Sequence, residues 1–227
     1  LASATTRVAL AGYTNAGKSS LMNALTGAHV DVNDALFETL DATTRAFQKD
    51  GMKVLVSDTV GFIRHLPHQL VESFRSTLDE VRDAHLIIHV ADAGEDDEGR
   101  SARAVAVEEV LDEIGAQDVP RLLVLNKVDL LDEEERDALA RRHPQAVMTS
   151  AVTGEGLDDL RGRLLATARA RWDRVELEVP YARGDVISAV YAHGRDVTQD
   201  AGPDGTTIRA LMPPADAARV RAMLDRG

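Results

Sequence analysis

The chain has 227 residues, 44% of them apolar, and carries 26 lysines and arginines against 38 aspartates and glutamates, for a net charge of −12. This length and apolar share predict a globular protein with one large domain, or one medium and one small. The absence of cysteine excludes disulfides and thiolate-bound metals. An acidic chain is also a poor nucleic-acid binder by itself, because neutralising phosphates needs clustered lysine and arginine.

The sequence contains no apolar run of 18 or more residues and no charged-then-apolar leader. We therefore expect neither a membrane span nor a signal peptide, and we expect a cytoplasmic monomer. The chain begins at Leu1 rather than at an initiator methionine, so we expect further protein upstream.

Short apolar runs alternate with helical patterns through the first 170 residues. The predicted elements are a strand near 7–12, a helix at 18–26, an irregular stretch at 27–42, strands near 44–49 and 52–58, a helix at 67–83, a strand at 86–92, a helix at 99–115, a strand at 120–126, a helix at 133–142, a strand at 146–149 and a helix at 156–170. Such alternation, with all-apolar strands, predicts an α/β fold whose mostly parallel six-stranded sheet is covered by helices on both faces.

The pattern changes after Arg171, which predicts a domain boundary and two domains at 1–171 and 172–227. Residues 172–227 predict a small α+β domain, with strands at 175–179, 195–200 and 206–212, a helix at 184–193 and a last helix that begins at Pro213 and ends at Met223. We find no catalytic constellation in this second part.

The segment GYTNAGKSS at 12–20 matches the phosphate-loop pattern G-x-x-x-x-G-K-[ST] and follows an apolar strand, as that motif requires. Its glycines allow successive backbone N–H groups to surround phosphates at a helix N-terminus. Lys18 would neutralise the β- and γ-phosphates, and the Ser19 hydroxyl would bind Mg²⁺. The predicted contacts are Gly12, Tyr13, Thr14, Asn15, Ala16, Gly17, Lys18, Ser19 and Ser20.

Asp58-Thr59-Val60-Gly61 follows another apolar strand, about forty residues after Lys18. Asp58 would hold Mg²⁺ through a water, and the Gly61 amide would bond the γ-phosphate with no side chain in the way. By itself this segment is a common turn, and its position about forty residues after the phosphate-loop lysine favours a functional role.

Asn126-Lys127-Val128-Asp129 ends the apolar run Leu122–Leu125. The Asp129 carboxylate would accept bonds from N1–H and the exocyclic amine of guanine, whereas adenine presents a lone pair at N1. Asn126 is expected to brace the phosphate loop, and the Lys127 stem to lie over the base. Ser150-Ala151 would add a backbone N–H for the guanine carbonyl. Together these segments predict a P-loop NTPase of the Ras-like G-domain type that prefers GTP.

A threonine from the stretch 27–44 is needed to close over Mg²⁺ and the γ-phosphate, and the residues alone do not rank Thr39, Thr43 and Thr44. Two further readings stay open. In the first reading the protein is an ATP-dependent kinase or ATPase, and in the second it is a non-catalytic module in which GTP is only structural. A ribosome-assembly or RNA-modification GTPase would share these segments and differ in its appended domains.

The segments LFETLDATTR at 36–45 and DTVGFIRHLPHQLV at 58–71, with GYTNAGKSS and NKVD, resemble the HflX family of translational GTPases. The resemblance covers residues 7 to about 170, and more loosely 172–227. It implies that Thr39 is the Mg²⁺ threonine and that Lys18, Thr39 and Gly61 serve hydrolysis. The resemblance also implies nucleotide contacts at Phe37, Glu38, Thr39, Leu40 and Asp41. The sequence departs from the family pattern at Ala42, where family members usually have proline.

The same resemblance implies a cytoplasmic GTPase that binds the large ribosomal subunit and splits or rescues stalled ribosomes, through contacts made largely by an N-terminal domain that this sequence lacks. It extends to GTPases that bind K⁺ through an asparagine at the position of Asn15. The alternative role for Asn15 is to stabilise the turn.

Phe62 follows Gly61, where many GTPases place a glutamine or histidine that orients the attacking water. Phenylalanine cannot do so, and His65 is most simply a solvated loop residue. We therefore expect slow intrinsic hydrolysis that a partner accelerates.

Overall fold

The structure is a computed structural model that describes residues 5–27, 43–58 and 75–226. The described residues form two compact units. One comprises residues within Thr6–Lys49 and Val54–Leu165, and the other comprises residues 166–226 with Thr5 and Asp50–Lys53.

The first unit is built on a six-stranded sheet with the strand order β2-β3-β1-β4-β5-β6. Its elements are β1 (Thr6–Gly12), α1 (Lys18–Thr26), β2 (Thr43–Lys49), β3 (Met52–Asp58), α2 (Arg75–Arg82), β4 (Leu86–Asp92), α3 (Asp97–Glu113), β5 (Arg121–Asn126), a 3₁₀ turn (Val128–Leu130), α4 (Glu133–Arg142), β6 (Val147–Thr149) and α5 (Leu157–Ala170). The predicted α/β fold and its six-stranded sheet are confirmed.

Parallel pairing brings the carboxyl ends of five strands to one edge of this sheet. β1 pairs in parallel with β3 and β4, β4 with β5, and β5 with β6. The register sets Leu10 opposite Asp58, and it sets Asp92 opposite Asn126. Loops that follow these strands therefore meet at the edge where open α/β sheets bind ligands.

β2 and β3 are joined by the two-residue turn Asp50-Gly51, whose φ angles are 53° and 75°. Two positive φ angles are typical of the type I′ turn that connects antiparallel strands. β2 therefore runs antiparallel to β3 at one edge of the sheet, and the other pairs are parallel, so the prediction of a mostly parallel sheet is confirmed.

Buried apolar side chains cover both faces of β1. Ala9 and Ala11 pack with Val81 of α2 and with Val107 and Leu111 of α3. Val8 and Leu10 are equally buried, and because successive side chains of a strand alternate between faces, they face the opposite layer. This two-sided burial explains why the parallel strands are continuous apolar runs in the sequence.

The second unit contains a three-stranded antiparallel sheet in the order β7-β9-β8. Its elements are β7 (Asp173–Pro180), α6 (Gly184–His193), β8 (Arg195–Ala201), β9 (Gly205–Met212) and α7 (Pro214–Asp225). Val175 and Ile208 of the sheet pack with Val186 of α6 and Val220 of α7 in one buried cluster. The division into domains at 1–171 and 172–227 stays a prediction.

Only the end of the helix predicted at 67–83 can be compared, because residues 59–74 lie outside the described ranges, as does most of the irregular stretch predicted at 27–42. No helix within the described ranges has both the length and the apolar run that crossing a membrane requires.

His89 introduces a pH dependence into the fold. It lies on β4 with 8% of its surface exposed, and burial, helped by the Arg121 guanidinium, lowers its pKa from 6.5 to about 4, although Glu108 Oε1 is 3.9 Å from its Nδ1. Between these two pH values the unfolded chain binds a proton that the folded chain does not. The contribution of His89 to the free energy of unfolding is therefore fully present above pH 6.5 and is lost as the pH falls towards 4.

We expect the free energy of unfolding to fall by up to about 3 kcal/mol more in the parent chain than in His89→Leu between pH 6.5 and 4. Urea titrations at several pH values measure it, and the carboxylates contribute equally to both proteins. Identical pH slopes in the two proteins would contradict the expectation.

Candidate nucleotide-binding site

Steric constraints shape the loop between β1 and α1. A Cβ atom on Gly12 would lie 2.4 Å from the carbonyl oxygen of Val90, and one on Gly17 would lie 2.4 Å from Asn126 Nδ2. Gly17 also has a φ angle of +89°, in the left-handed region that favours glycine. Both motif glycines are thus required by close approach, as the sequence pattern predicts for a tight phosphate loop.

Lys18, the first residue of α1, is a buried cation at the mouth of this loop. It is 7% exposed, and its Nζ donates a hydrogen bond to the carbonyl oxygen of Tyr13 over 3.2 Å. Burial lowers the Lys18 pKa, and the Asp58 carboxylate opposes that shift. A bound phosphate would further stabilise the charged amine in this pocket.

Ser19, in the first turn of α1, meets Asp58 at the end of β3. The Ser19 hydroxyl donates to Asp58 Oδ2 over 2.5 Å, and Asp58 is 1% exposed at the end of β3. A hydroxyl beside a buried carboxylate offers the hard oxygen ligands that Mg²⁺ prefers. The described residues contain no cluster of three or more His, Cys, Asp or Glu.

Asn126 links three segments of the site through its side chain. Its Nδ2 donates to the carbonyl oxygen of Ala16 over 3.1 Å, and its Oδ1 accepts bonds from Thr149 Oγ1 and from the Ala151 amide, each over 3.2 Å. The side chain is 1% exposed, so these bonds form away from water. The bracing role that the sequence predicts for Asn126 is present in the structure.

Lys127 also contacts the phosphate loop. Its Nζ donates to the carbonyl oxygen of Asn15 over 2.8 Å and to Asp92 Oδ2 over 2.7 Å. Asp92 is absent from the sequence-based site. The signal that could have revealed it is its place at the carboxyl end of β4, directly opposite Asn126 in the sheet register.

Asp129 lies in the 3₁₀ turn after β5, and its Oδ1 is buried without a hydrogen-bond partner among the residues that the structure describes. A buried carboxylate oxygen that lacks a donor is costly. The N1–H or the exocyclic amine of guanine would supply the missing donor, so this residue fits the predicted base contact. Adenine, with a lone pair at N1, would not.

The backbone amides of Ser150 and Ala151, one of which was expected to bind guanine, both have hydrogen-bond partners within the protein. The Ser150 amide donates to the carbonyl oxygen of Glu155 over 3.0 Å, and the Ala151 amide donates to Asn126 Oδ1. A guanine carbonyl would therefore have to share the Ala151 N–H with Asn126.

The remaining predicted residues divide into two groups. Thr44 lies in β2, where its hydroxyl is bonded to Ser57 Oγ over 2.9 Å and to Glu80 Oε2 over 3.3 Å, and Thr43 begins the same strand. In the phosphate loop, Thr14 and Ser20 are half-buried, and the Tyr13 ring lies 5.0 Å from the Arg103 guanidinium.

The other predicted residues lie outside the described ranges. They are Phe37, Glu38, Thr39, Leu40, Asp41, Ala42, Thr59, Val60, Gly61, Phe62 and His65.

Comparisons with known proteins agree with this geometry. A family profile described as 50S ribosome-binding GTPase matches residues 7–127. GTPase HflX of Gluconacetobacter diazotrophicus is 46% identical over 219 residues, which are 96% of this chain and 48% of the relative. GTPase HflX of Escherichia coli is 40% identical over 217 residues, which are 94% and 50%. The chain spans about half the length of the curated relatives it matches.

Two solved structures share the fold. A GTP-binding protein from the hyperthermophilic archaeon Sulfolobus solfataricus, in complex with GDP, is 29% identical with a TM-score of 0.57, over 72% of this chain and 52% of that one. The G domain of the T. maritima iron transporter FeoB is 28% identical with a TM-score of 0.51, over 72% and 99%.

Proposed function

The chain belongs to the 50S ribosome-binding GTPase family, and on that premise we propose that it binds GTP at the strand-end site and hydrolyses it to GDP and phosphate. The observation that carries this proposal is the buried oxygen of Asp129, which has no partner among the described residues and follows β5 at the sheet edge where β1 leads into the phosphate loop. One end of that edge offers donors for phosphate and the other offers an acceptor for guanine.

The chain's own residues would act mainly by positioning. The backbone amides of the phosphate loop and the Lys18 amine would hold the β- and γ-phosphates, while Asp129 fixes the base and thereby the direction of the phosphate tail. Lys18 would neutralise charge that moves towards the leaving oxygen. The buried setting of Lys18 strengthens this interaction compared with one in water.

The Ser19 hydroxyl, and Asp58 through a water, would hold Mg²⁺, and we propose Thr39 as a further protein ligand. When bound, the ion would neutralise negative charge on the phosphates. We propose Gly61 as the amide that contacts the γ-phosphate, with Phe37, Glu38, Leu40, Asp41, Thr59 and Val60 lining the nucleotide.

We further propose that hydrolysis is slow in isolation and is accelerated by the large ribosomal subunit in the cytoplasm, because Phe62 cannot orient the attacking water. The relatives are about twice as long as this chain, so ribosome contact is proposed to need protein beyond it.

Multiple-turnover phosphate release tests this role, with and without purified large subunits, on the chain and on a version extended to the length of its relatives. We expect turnover below about 1 s⁻¹ without subunits, near the lower limit of ordinary enzymes. We expect strong stimulation only in the extended version. Absence of phosphate release in both would refute the hydrolase proposal, and release without stimulation would refute the ribosomal partner.

The position of Asn15 supports a proposed K⁺ site beside the phosphates. Asn15 is exposed, and its φ angle of 64° places it at the turn of the phosphate loop. A cation there would act where other GTPases use an arginine finger.

We expect hydrolysis to be at least about tenfold faster in K⁺ than in Na⁺ at equal ionic strength, a small part of what an arginine finger supplies. Asn15→Ala should remove the difference. Equal rates in the two salts would leave Asn15 with a turn-stabilising role only.

A further inference from the structure

The amine of Lys127 contacts the backbone of the phosphate loop. The Lys127 amine donates a hydrogen bond to the carbonyl oxygen of Asn15 over 2.8 Å. Asn15 is exposed and has a positive φ angle, so without Lys127 this carbonyl would take its hydrogen bond from water. Holding a non-glycine residue in this backbone region costs about 1 kcal/mol or more. The Lys127 contact helps to offset that cost, so the position of the amine bears on the shape of the loop.

Asp92 fixes that amine. Its Oδ2 accepts a bond from Lys127 Nζ over 2.7 Å, and its Oδ1 accepts one from the Gly94 amide over 2.9 Å. Both carboxylate oxygens are therefore engaged, and the carboxylate cannot rotate away without losing one of these bonds. The side chains of Asp92 and Lys127 are 16% and 25% exposed, which makes this a shielded pair rather than a surface one.

Lys127 has four rotatable side-chain bonds, and its amine would sample many positions without a partner. Its backbone is itself held at a φ angle of 68°, directly after Asn126. The pair with Asp92 selects the side-chain conformation in which the amine touches Asn15. Because β4 and β5 are neighbours in register, the acid and the lysine are brought together by the rigid sheet.

We propose that Asp92 is a positioning residue for nucleotide binding, which holds Lys127 against Asn15 and so keeps the phosphate loop in its binding shape. The inference deepens the proposed GTP-binding function and rests on it. The phosphate loop serves GDP and GTP alike, so loss of Asp92 should weaken affinity for both nucleotides and leave the chemical step nearly unchanged.

The test compares the parent chain with Asp92→Asn, using fluorescent GDP and GTP analogues for Kd and phosphate release for KM and kcat. Asparagine keeps the size of the side chain and removes its charge. We expect Kd and KM to rise about 5- to 20-fold, as for loss of one charge-assisted hydrogen bond, and kcat to change less than about twofold.

Asp97→Asn is the matched control. Asp97 lies five residues further along the chain, in the first turn of α3, and pairs with Arg100 and Arg142 instead of with a residue that touches the phosphate loop. We expect this variant to bind both analogues as the parent chain does. An equal loss in Asp97→Asn would assign the effect to general charge and overturn the proposal.

A double-mutant cycle separates positioning from a merely structural role. If Asp92 acts through Lys127, the double variant with Lys127→Met should bind no more than about twofold more weakly than Lys127→Met alone. Affinity losses that multiply would overturn the proposal. Should Asp92→Asn fail to fold, Asp92→Glu moves the carboxylate by one methylene and should still weaken affinity by at least about twofold, whereas unchanged affinity would overturn the proposal.

The outcomes also distinguish this inference from the function beneath it. A parent chain that binds neither analogue refutes the proposed function. A parent chain that binds both, beside an Asp92→Asn variant that binds them equally well, refutes only the role of Asp92.

Discussion

Lys18→Met is expected to lower kcat/KM for GTP by a factor of about 10² to 10³, the range typical of removing one group that stabilises developing charge. The amine is buried at the mouth of the phosphate loop, where charge interactions are stronger than in water. Methionine keeps most of the volume of the side chain and removes the charge.

The nucleotide-free variant should be at least as stable as the parent chain. Burial lowers the Lys18 pKa, which means that the charged amine costs free energy in the empty site, and an apolar side chain of similar size avoids that cost. Thermal unfolding without nucleotide therefore separates loss of activity from loss of fold. Lys49→Met, at an exposed position of β2, is the control and should leave kcat/KM unchanged. Activity within tenfold of the parent in Lys18→Met would contradict the assigned role.

Asp129→Asn is expected to reverse base selection. The parent carboxylate is proposed to accept two bonds from guanine, and asparagine would replace one acceptor with an N–H donor that faces the guanine amine. Loss of one bond, with two N–H donors left facing each other in a buried site, should weaken GDP binding by a factor of about 10³ or more. Xanthine, which has a carbonyl where guanine has its amine, presents the pattern that asparagine can bond, so XDP should bind the variant more tightly than GDP.

Competition of GDP, XDP and ADP against a fluorescent analogue measures this reversal in both proteins. Asp137→Asn, on the exposed face of α4, is the matched control and should keep the guanine preference. If Asp129→Asn still prefers GDP, the unpartnered oxygen of Asp129 is not the base contact.

The central strands β1 and β4 of the first unit could be predicted because each is buried on both faces. The run 86–92 is apolar apart from His89 and its last residue, and the structure begins and ends β4 at the same residues. The helix predicted at 99–115 instead spans Asp97–Glu113, since Asp96 caps it by accepting a bond from the Gly99 amide. A capping acid within an acidic run is hard to locate from sequence because its neighbours offer the same carboxylate.

The site divides along the same line. Lys18, Ser19, Asn126 and Asp129 could be predicted because each lies in a contiguous motif that follows an apolar strand. Asp92 could not, since its role depends on the register of β4 with β5. The bonds made by the Ser150 and Ala151 amides depend likewise on Glu155 and Asn126, which tertiary folding brings to them.

The most direct test of the account is a crystal structure of this chain grown with GDP and Mg²⁺. The account predicts phosphates against the backbone amides that precede Lys18, the ion beside Ser19 and Asp58, and the guanine edge bonded to Asp129. A nucleotide bound anywhere else, or bound here with Asp129 still unpaired, would contradict it.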